Sequence, residues 1–172
     1  LVQTYPVGLG RTDRRTPRGS FKVKGKTVNP TWVIPARIRQ EHIAEHGDDR
    51  KAIPGGHPDN PLGKYRIELT IPYYTIHGTN NPWGAGMPVS HGSARLYPED
   101  IEHLFPLVKV GMPVEFLYQT VKVGRRKDGT YLEAHSDLYG VGGTLDAAAR
   151  KELGRLGSTV DNKTPKGALE RS

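Results

Sequence analysis

A mostly β fold of the α+β class is predicted for this chain, and three observations predict it. Glycine (21) and proline (14) together make up about a fifth of the 172 residues, which calls for many turns. Short runs that alternate apolar and polar residues recur along the chain, the pattern of half-buried strands. Helical spacing is confined to three stretches, near residues 35–46, 98–106 and 144–153. That pattern argues against a helical bundle. The length suits one domain with a tail and suffices to bury a core without staples.

Taken in order, residues 2–9 read as a strand closed by Gly8 and Gly10. With no upstream partner, this strand would place the start of the chain inside a hairpin. A polar turn through Thr16-Pro17-Arg18-Gly19 leads to a strand over 21–28, where Phe21 and Val23 alternate with Lys22 and Lys24. Asn29-Pro30 ends it. Residues 32–63 form a long excursion, with a short helix from Pro35 to about His46 and Gly47 as its stop. Excursions of this length in compact domains are usually lids or binding loops. Strands follow over 65–69 and 73–77. Pro98, Glu99 and Asp100 then open a helix whose apolar face is Ile101, Leu104, Phe105 and Val108, with Pro106 near its end. Strands are expected over 114–118 and 121–123, with a hairpin turn at Asp128-Gly129. Thr144 caps a last helix facing inward through Leu145, Ala148, Ala149 and Leu153. From Gly157 the composition is polar and frayed. Residues 1–124 are expected to form the working domain, and 125–172 a C-terminal hairpin, helix and tail.

The formal net charge is +7. Nine Lys+Arg and seven Asp+Glu lie from Arg125 to Ser172, so this tail carries +2 and residues 1–124 carry +5. The positive charge is therefore spread out and no basic block is interleaved with aromatics, so nucleic acid is not the expected partner. An anionic polymer or a carboxylate-rich substrate fits better. No apolar run approaches the roughly 18 residues of a membrane span. There is no cysteine, which excludes disulfides and thiolate metal sites. His42 and His46 are four apart on a helix but lack the H-E-x-x-H order, and the glycines near Gly84 lack a following Lys-Ser/Thr. Neither a metal nor a nucleotide cofactor is expected.

Chemistry concentrates in residues 73–105. His77 ends a strand and enters a glycine loop. Ser90, His91, Gly92, Ser93 and Arg95 follow after 13 to 18 positions. A histidine that can reach a hydroxyl, beside backbone N–H groups freed by Gly92, suggests acyl transfer. Ser93 would then be the nucleophile at a strand-to-helix junction, assisted by the helix dipole. Arg95 either forks onto a substrate carboxylate or ties the loop to the helix.

The segments I-H-G-T-N-N-P (76–82) and V-S-H-G-S-A-R-L-Y-P-E-D-I (89–101) resemble the L,D-transpeptidase catalytic domains of the YkuD type. Supporting stretches are Y-P-V-G-L-G-R (5–11), T-P-R-G-S-F (16–21), N-P-T-W (29–32) and D-N-P-L-G (59–63). The resemblance covers roughly residues 2–120. It implies a mostly β catalytic domain, a YkuD-like sandwich or barrel with a few short helices, and a cap over about 32–63. It implies attack on the L-to-D peptide bond of a peptidoglycan tetrapeptide stem, loss of D-Ala, and resolution by an amine on meso-diaminopimelate or an outer-membrane lipoprotein lysine. It also implies acylation by carbapenems and no cofactor. Carried over by position, His77 is the base, and His91, Gly92 and Ser93 form the nucleophile turn. Arg95, Gly78, Thr79, Ser90 and Trp83 meet substrate. A monomer in the bacterial envelope, periplasmic or secreted, is expected, its signal segment absent because the chain begins at Leu.

The departure is at Ser93, where that family has cysteine. A thiol ionises near pH 8.5, whereas a hydroxyl needs a base during attack. Three readings follow: a transpeptidase inactivated by replacement of its cysteine, a catalytically dead peptidoglycan-binding domain, and a Ser–His acyltransferase or hydrolase. The first is favoured because every other element is intact; the last is weakest because no carboxylate is placed to orient His77.

Overall fold

A computed structural model describes residues 3–84 and 87–157. Among these the chain forms eleven strands and three α-helices and divides into two units, 1–116 and 117–172. The mostly β expectation holds.

In the first unit the strands are β1 (Leu9–Gly10), β2 (Gly19–Val28), β3 (Trp32–Val33), β4 (Ala52–Ile53), β5 (Tyr65–Leu69), β6 (Thr75–His77), β7 (Pro88–Ser90), β8 (Ala94–Arg95) and β9 (Pro113–Phe116). Its helices are α1 (Ala36–His46) and α2 (Pro98–Leu107). Five strands make one mixed sheet in the order β8-β6-β5-β2-β9. Strand β2 serves two partners. Its first half, Gly19 to Lys22, pairs with β9, and its second half pairs with β5 after an irregularity between Val23 and Gly25. Such a bulge bends a strand and increases its twist.

The core lies between this sheet and α2. Val23, Ile67, Leu69, Leu96 and Ile101 are sealed, with Leu104, Phe105 and Val108 packed around them. The expected inward face of α2 is therefore the real one. Pro98 occupies its first turn, where a missing N–H costs nothing. Helix α1 also follows expectation: Gly47 caps it in the left-handed conformation at φ 68°, donating to the carbonyls of His42 and Ile43. Pro35 stands one position before the helix, as its N-cap.

Some local expectations are corrected. The strand expected over 2–9 is reduced to Leu9–Gly10; Val2 lies outside the described residues, and Pro6 has no N–H to give a ladder. Its partner is no hairpin neighbour but the distant β7, in parallel. The strand expected from Tyr73 starts only at Thr75, because Tyr73 takes φ 68°. The strand expected to reach Tyr118 stops at Phe116.

The second unit holds the hairpin β10 (Val121–Arg126) and β11 (Gly129–Ala134), and helix α3 (Leu145–Arg155). Arg126 pairs with Gly129, so the loop is Lys127-Asp128, one residue earlier than expected. Thr144 caps α3 as expected, its hydroxyl accepting from the Ala147 N–H at 3.2 Å. Leu145, Ala148, Ala149 and Leu153 are half-buried. The polar tail expected to fray falls, from residue 158, outside the described residues. No described helix is long and apolar enough to cross a membrane.

Candidate active site

Strand pairing builds the site. His77 stands opposite Arg66 across the antiparallel β5–β6 ladder and opposite Arg95 across the parallel β6–β8 ladder. Residues directly opposite in a ladder share a face of the sheet. One row therefore reads Arg66–His77–Arg95. Two positions back along β6, the Thr75 N–H donates to Ser93 Oγ at 3.1 Å, and the two hydroxyl oxygens are 3.4 Å apart. Because side chains alternate with period two, Thr75 and His77 point the same way, as do Ser93 and Arg95. The sequence T-x-H on one strand and S-x-R on its neighbour thus turn four side chains onto a cleft of about 1000 Å³.

His77 is 4% exposed, and its Nδ1 donates to the Gly78 carbonyl at 2.7 Å. A carbonyl can only accept, so Nε2 keeps a free lone pair. Burial, then the Arg95 charge, lowers the pKa of His77 to about 4, against the opposing Gly78 hydrogen bond. His77 is therefore neutral at neutral pH, oriented by a backbone carbonyl.

The turn at Ser90 to Ser93 is fixed internally. The Ser90 hydroxyl donates to the Ser93 carbonyl at 2.7 Å and accepts from the Gly92 N–H at 3.0 Å. Gly92 takes φ 113°, and a Cβ there would lie 2.4 Å from the Tyr74 ring, so only glycine fits. Its N–H, engaged by Ser90, is not available as an oxyanion donor in this arrangement. Nor does Ser93 sit at a helix start. It leads into β8, because Ala94 and Arg95 pair with Ile76 and His77, and α2 begins only at Pro98. The expected dipole assistance at Ser93 is withdrawn for that reason.

Arg95 is fixed through its backbone, which exchanges hydrogen bonds with Gly8 at 2.7 and 2.9 Å. Its Nε is sealed from solvent without a partner, and burial lowers its pKa. Arg95 is among the residues that line the cleft. The His91 side chain is about one-third exposed (35%) and sets Nε2 3.7 Å from Glu41 of α1, which also pairs with Arg14. Burial and the Arg14 and Arg11 charges lower the pKa of His91, with Glu41 acting against them.

Ser90, His91, Ser93, Arg95 and His77 are thus brought together around one cleft. Gly78, Thr79 and Trp83 are not among its lining residues. Gly78 orients His77; the buried Thr79 bonds both the N–H and the carbonyl of Asn81; Trp83, in a 3-10 turn (Pro82–Gly84), is 88% exposed. Sequence reasoning missed Arg66, Thr75 and Glu41. The first two become visible only through register, and the third only through the packing of α1.

Residues 32–63 line the same cleft through Trp32, Val33, Ile38, His42, Asp59 and Leu62. Asn60 holds that segment together: it is 2% exposed, its amide donates to the carbonyls of Pro30, Ile53 and Pro54, and its oxygen accepts from the Leu62 N–H.

Comparison with known proteins identifies the family. A family model described as the L,D-transpeptidase catalytic domain, YkuD, matches residues 1–116. The probable L,D-transpeptidase YbiS of Escherichia coli is 40% identical over 139 residues, 80% of this chain and 45% of that protein. The putative L,D-transpeptidase YqjB of Bacillus subtilis is 36% identical over 115 residues, 64% of this chain and 56% of that protein. The chain thus spans about half the length of the curated relatives it matches. An L,D-transpeptidase structure from Mycobacterium smegmatis shares the fold at TM-score 0.50 and 21% identity, over 68% of this chain and 49% of that one. With two-thirds of its length matched, the chain belongs to the YkuD family of L,D-transpeptidase catalytic domains.

Proposed function

We propose that this chain is the catalytic domain of a peptidoglycan L,D-transpeptidase of the bacterial envelope, with little or no turnover as written. The observation that carries the reading is the shared face of His77, Ser93 and Arg95 on neighbouring strands above one cleft. In this reading a nucleophile at position 93 attacks the L-to-D amide carbonyl of a tetrapeptide stem. Nε2 of His77 takes its proton and returns it to the departing amine of D-Ala. An acceptor amine, on meso-diaminopimelate or a lipoprotein lysine, then attacks the acyl-enzyme and releases the group at position 93.

Two features argue against turnover through Ser93 itself. Its Oγ already accepts from Thr75. A base whose pKa is lowered to about 4 is also poorly matched to a hydroxyl proton. A thiol, far more acidic, narrows that mismatch.

The test is Ser93→Cys. Incubated with a carbapenem, that variant gains the mass of one opened β-lactam, while the chain as written gains none. A cysteine variant that forms no adduct and releases no D-Ala from tetrapeptide removes the transpeptidase reading. Peptidoglycan pull-down without either reaction leaves a binding domain in its place.

A further inference from the structure

The row Arg66–His77–Arg95 sets two guanidinium-bearing residues on either side of one imidazole. Like charges held this close across strands disfavour folding, and they also disfavour a charged His77. Neighbouring strands are about 4.8 Å apart, so the two arginine Cα atoms stand about 10 Å apart with His77 between them. Both side chains line the cleft. Both have an Nε sealed from water with no hydrogen-bond partner. A buried donor without a partner destabilises the fold, and this row carries two of them. Only Arg66 has an internal counter-ion: Glu68, two residues along β5 on the same face, pairs with a terminal nitrogen. A quarter of the Arg66 side-chain surface stays exposed, and Arg66 is among the residues lining the cleft.

We propose that Arg66 is a specificity-determining residue of this site, joining Arg95 across His77 to receive the carboxylate of the departing D-Ala. The assignment rests on the transpeptidase reading above. In that reaction His77 must return a proton to the D-Ala nitrogen, and the D-Ala carboxylate lies only two bonds beyond that nitrogen. A leaving group held over His77 therefore brings its carboxylate between the flanking guanidinium groups. Planar guanidinium forks match a carboxylate through paired N–H donors, which a lysine does not. Glu68 acts as the internal competitor, holding Arg66 in place until the substrate anion arrives.

The experiment is equilibrium binding to the chain as written, using the tetrapeptide stem ending in D-Ala and the same peptide with that terminal carboxyl as a carboxamide. Arg66→Gln is expected to weaken the acid about ten-fold or more and the carboxamide less than about two-fold. Arg66→Lys falls between. Glu68→Gln, which frees the guanidinium, tightens the acid alone. Equal weakening of both peptides by Arg66→Gln, or no weakening of either, overturns the assignment, as does a chain that binds acid and carboxamide equally. A Ser93→Cys variant acylated by carbapenem in any of those outcomes leaves the transpeptidase reading standing. Absence of both adduct and peptide binding removes the two together.

Discussion

Across one cleft the molecule is held together in two different ways. On the floor, Ile67 and Ile101 are wholly sealed, and apolar side chains from Tyr5 to Phe116 pack around them. Burying each such isoleucine is worth roughly 1.5–3 kcal/mol. On the opposite wall, residues 32–63 have a core of Ile34, Ile38 and Ile53 with Trp32 against it, while Val33 and Ile43 stay exposed at 72% and 44%. That wall depends on polar ties: the four hydrogen bonds of Asn60, and the Glu41 pairs with Arg14 and His91. The proposed reacting groups thus sit on the stiff side, where their geometry is fixed by strand register. The wall that borders them is the side expected to open locally, since low apolar burial marks the low end of local stability.

The largest effect expected from this contrast is the pH response of the floor. In the folded chain the pKa of His77 is lowered from 6.5 to about 4, by burial first and by the Arg95 charge next. The unfolded chain therefore takes up this proton before the folded one does. Stability from this group is full above about pH 6.5, declines as pH falls towards 4, and is lost below that. The whole window is worth about 3 kcal/mol. Urea unfolding of the chain and of His77→Gln, near pH 7 and near pH 4, isolates it as the difference in their pH slopes. Identical slopes would mean that water reaches His77 and that the floor is no stiffer than the wall.

Much of this contrast could be read in the sequence, and the part that could not has a physical reason. Helix α2 was legible because Ile101, Leu104, Phe105 and Val108 repeat at helical spacing, and α1 because Pro35 and Gly47 bracket it. His77, the 90–93 turn and Arg95 stood out because unusual residues crowd together in the chain. Arg66 did not, since one arginine in an alternating strand looks like any solvated position. Its meaning arises only when β5 lies against β6, and a single sequence does not state that register. The engagement of the Gly92 N–H by Ser90 was hidden for the same reason: the donors of a tight turn are visible, but their partners are not. Trp83 stood out as an aromatic in a glycine-rich loop; it is 88% exposed and is not among the residues lining the cleft.

The second effect concerns the wall alone. Asn60→Ala takes the side-chain partner from the carbonyls of the buried Pro30 and Ile53 and from the Leu62 N–H, while the Pro54 carbonyl keeps the His57 N–H. Stranded buried groups of this kind should cost about 2 kcal/mol. If the two sides are held independently, the loss stays local. The Ile34 amide, bonded to the Lys51 carbonyl at 2.9 Å, should exchange about thirty-fold faster, with the amides of β5 unchanged. Equal acceleration on β5 would show that floor and wall open as one body, and the contrast would be lost.

The smallest effect tests the tie between them. Glu41 belongs to the wall through α1 and reaches His91 of the 90–93 turn. A partly exposed ion pair is weak, so Glu41→Gln should change the exchange of α1 amides by about three-fold or less, and less still at high salt. Its clearer mark is on His91. Glu41 raises the pKa of His91, whereas burial, Arg14 and Arg11 lower it. Removing the carboxylate therefore moves the NMR titration midpoint of His91 downward, further below its ordinary value. An unmoved midpoint would mean that Glu41 answers to Arg14 alone. The wall would then have no electrostatic hold on the turn, and α1 and the 90–93 turn would be uncoupled through this residue.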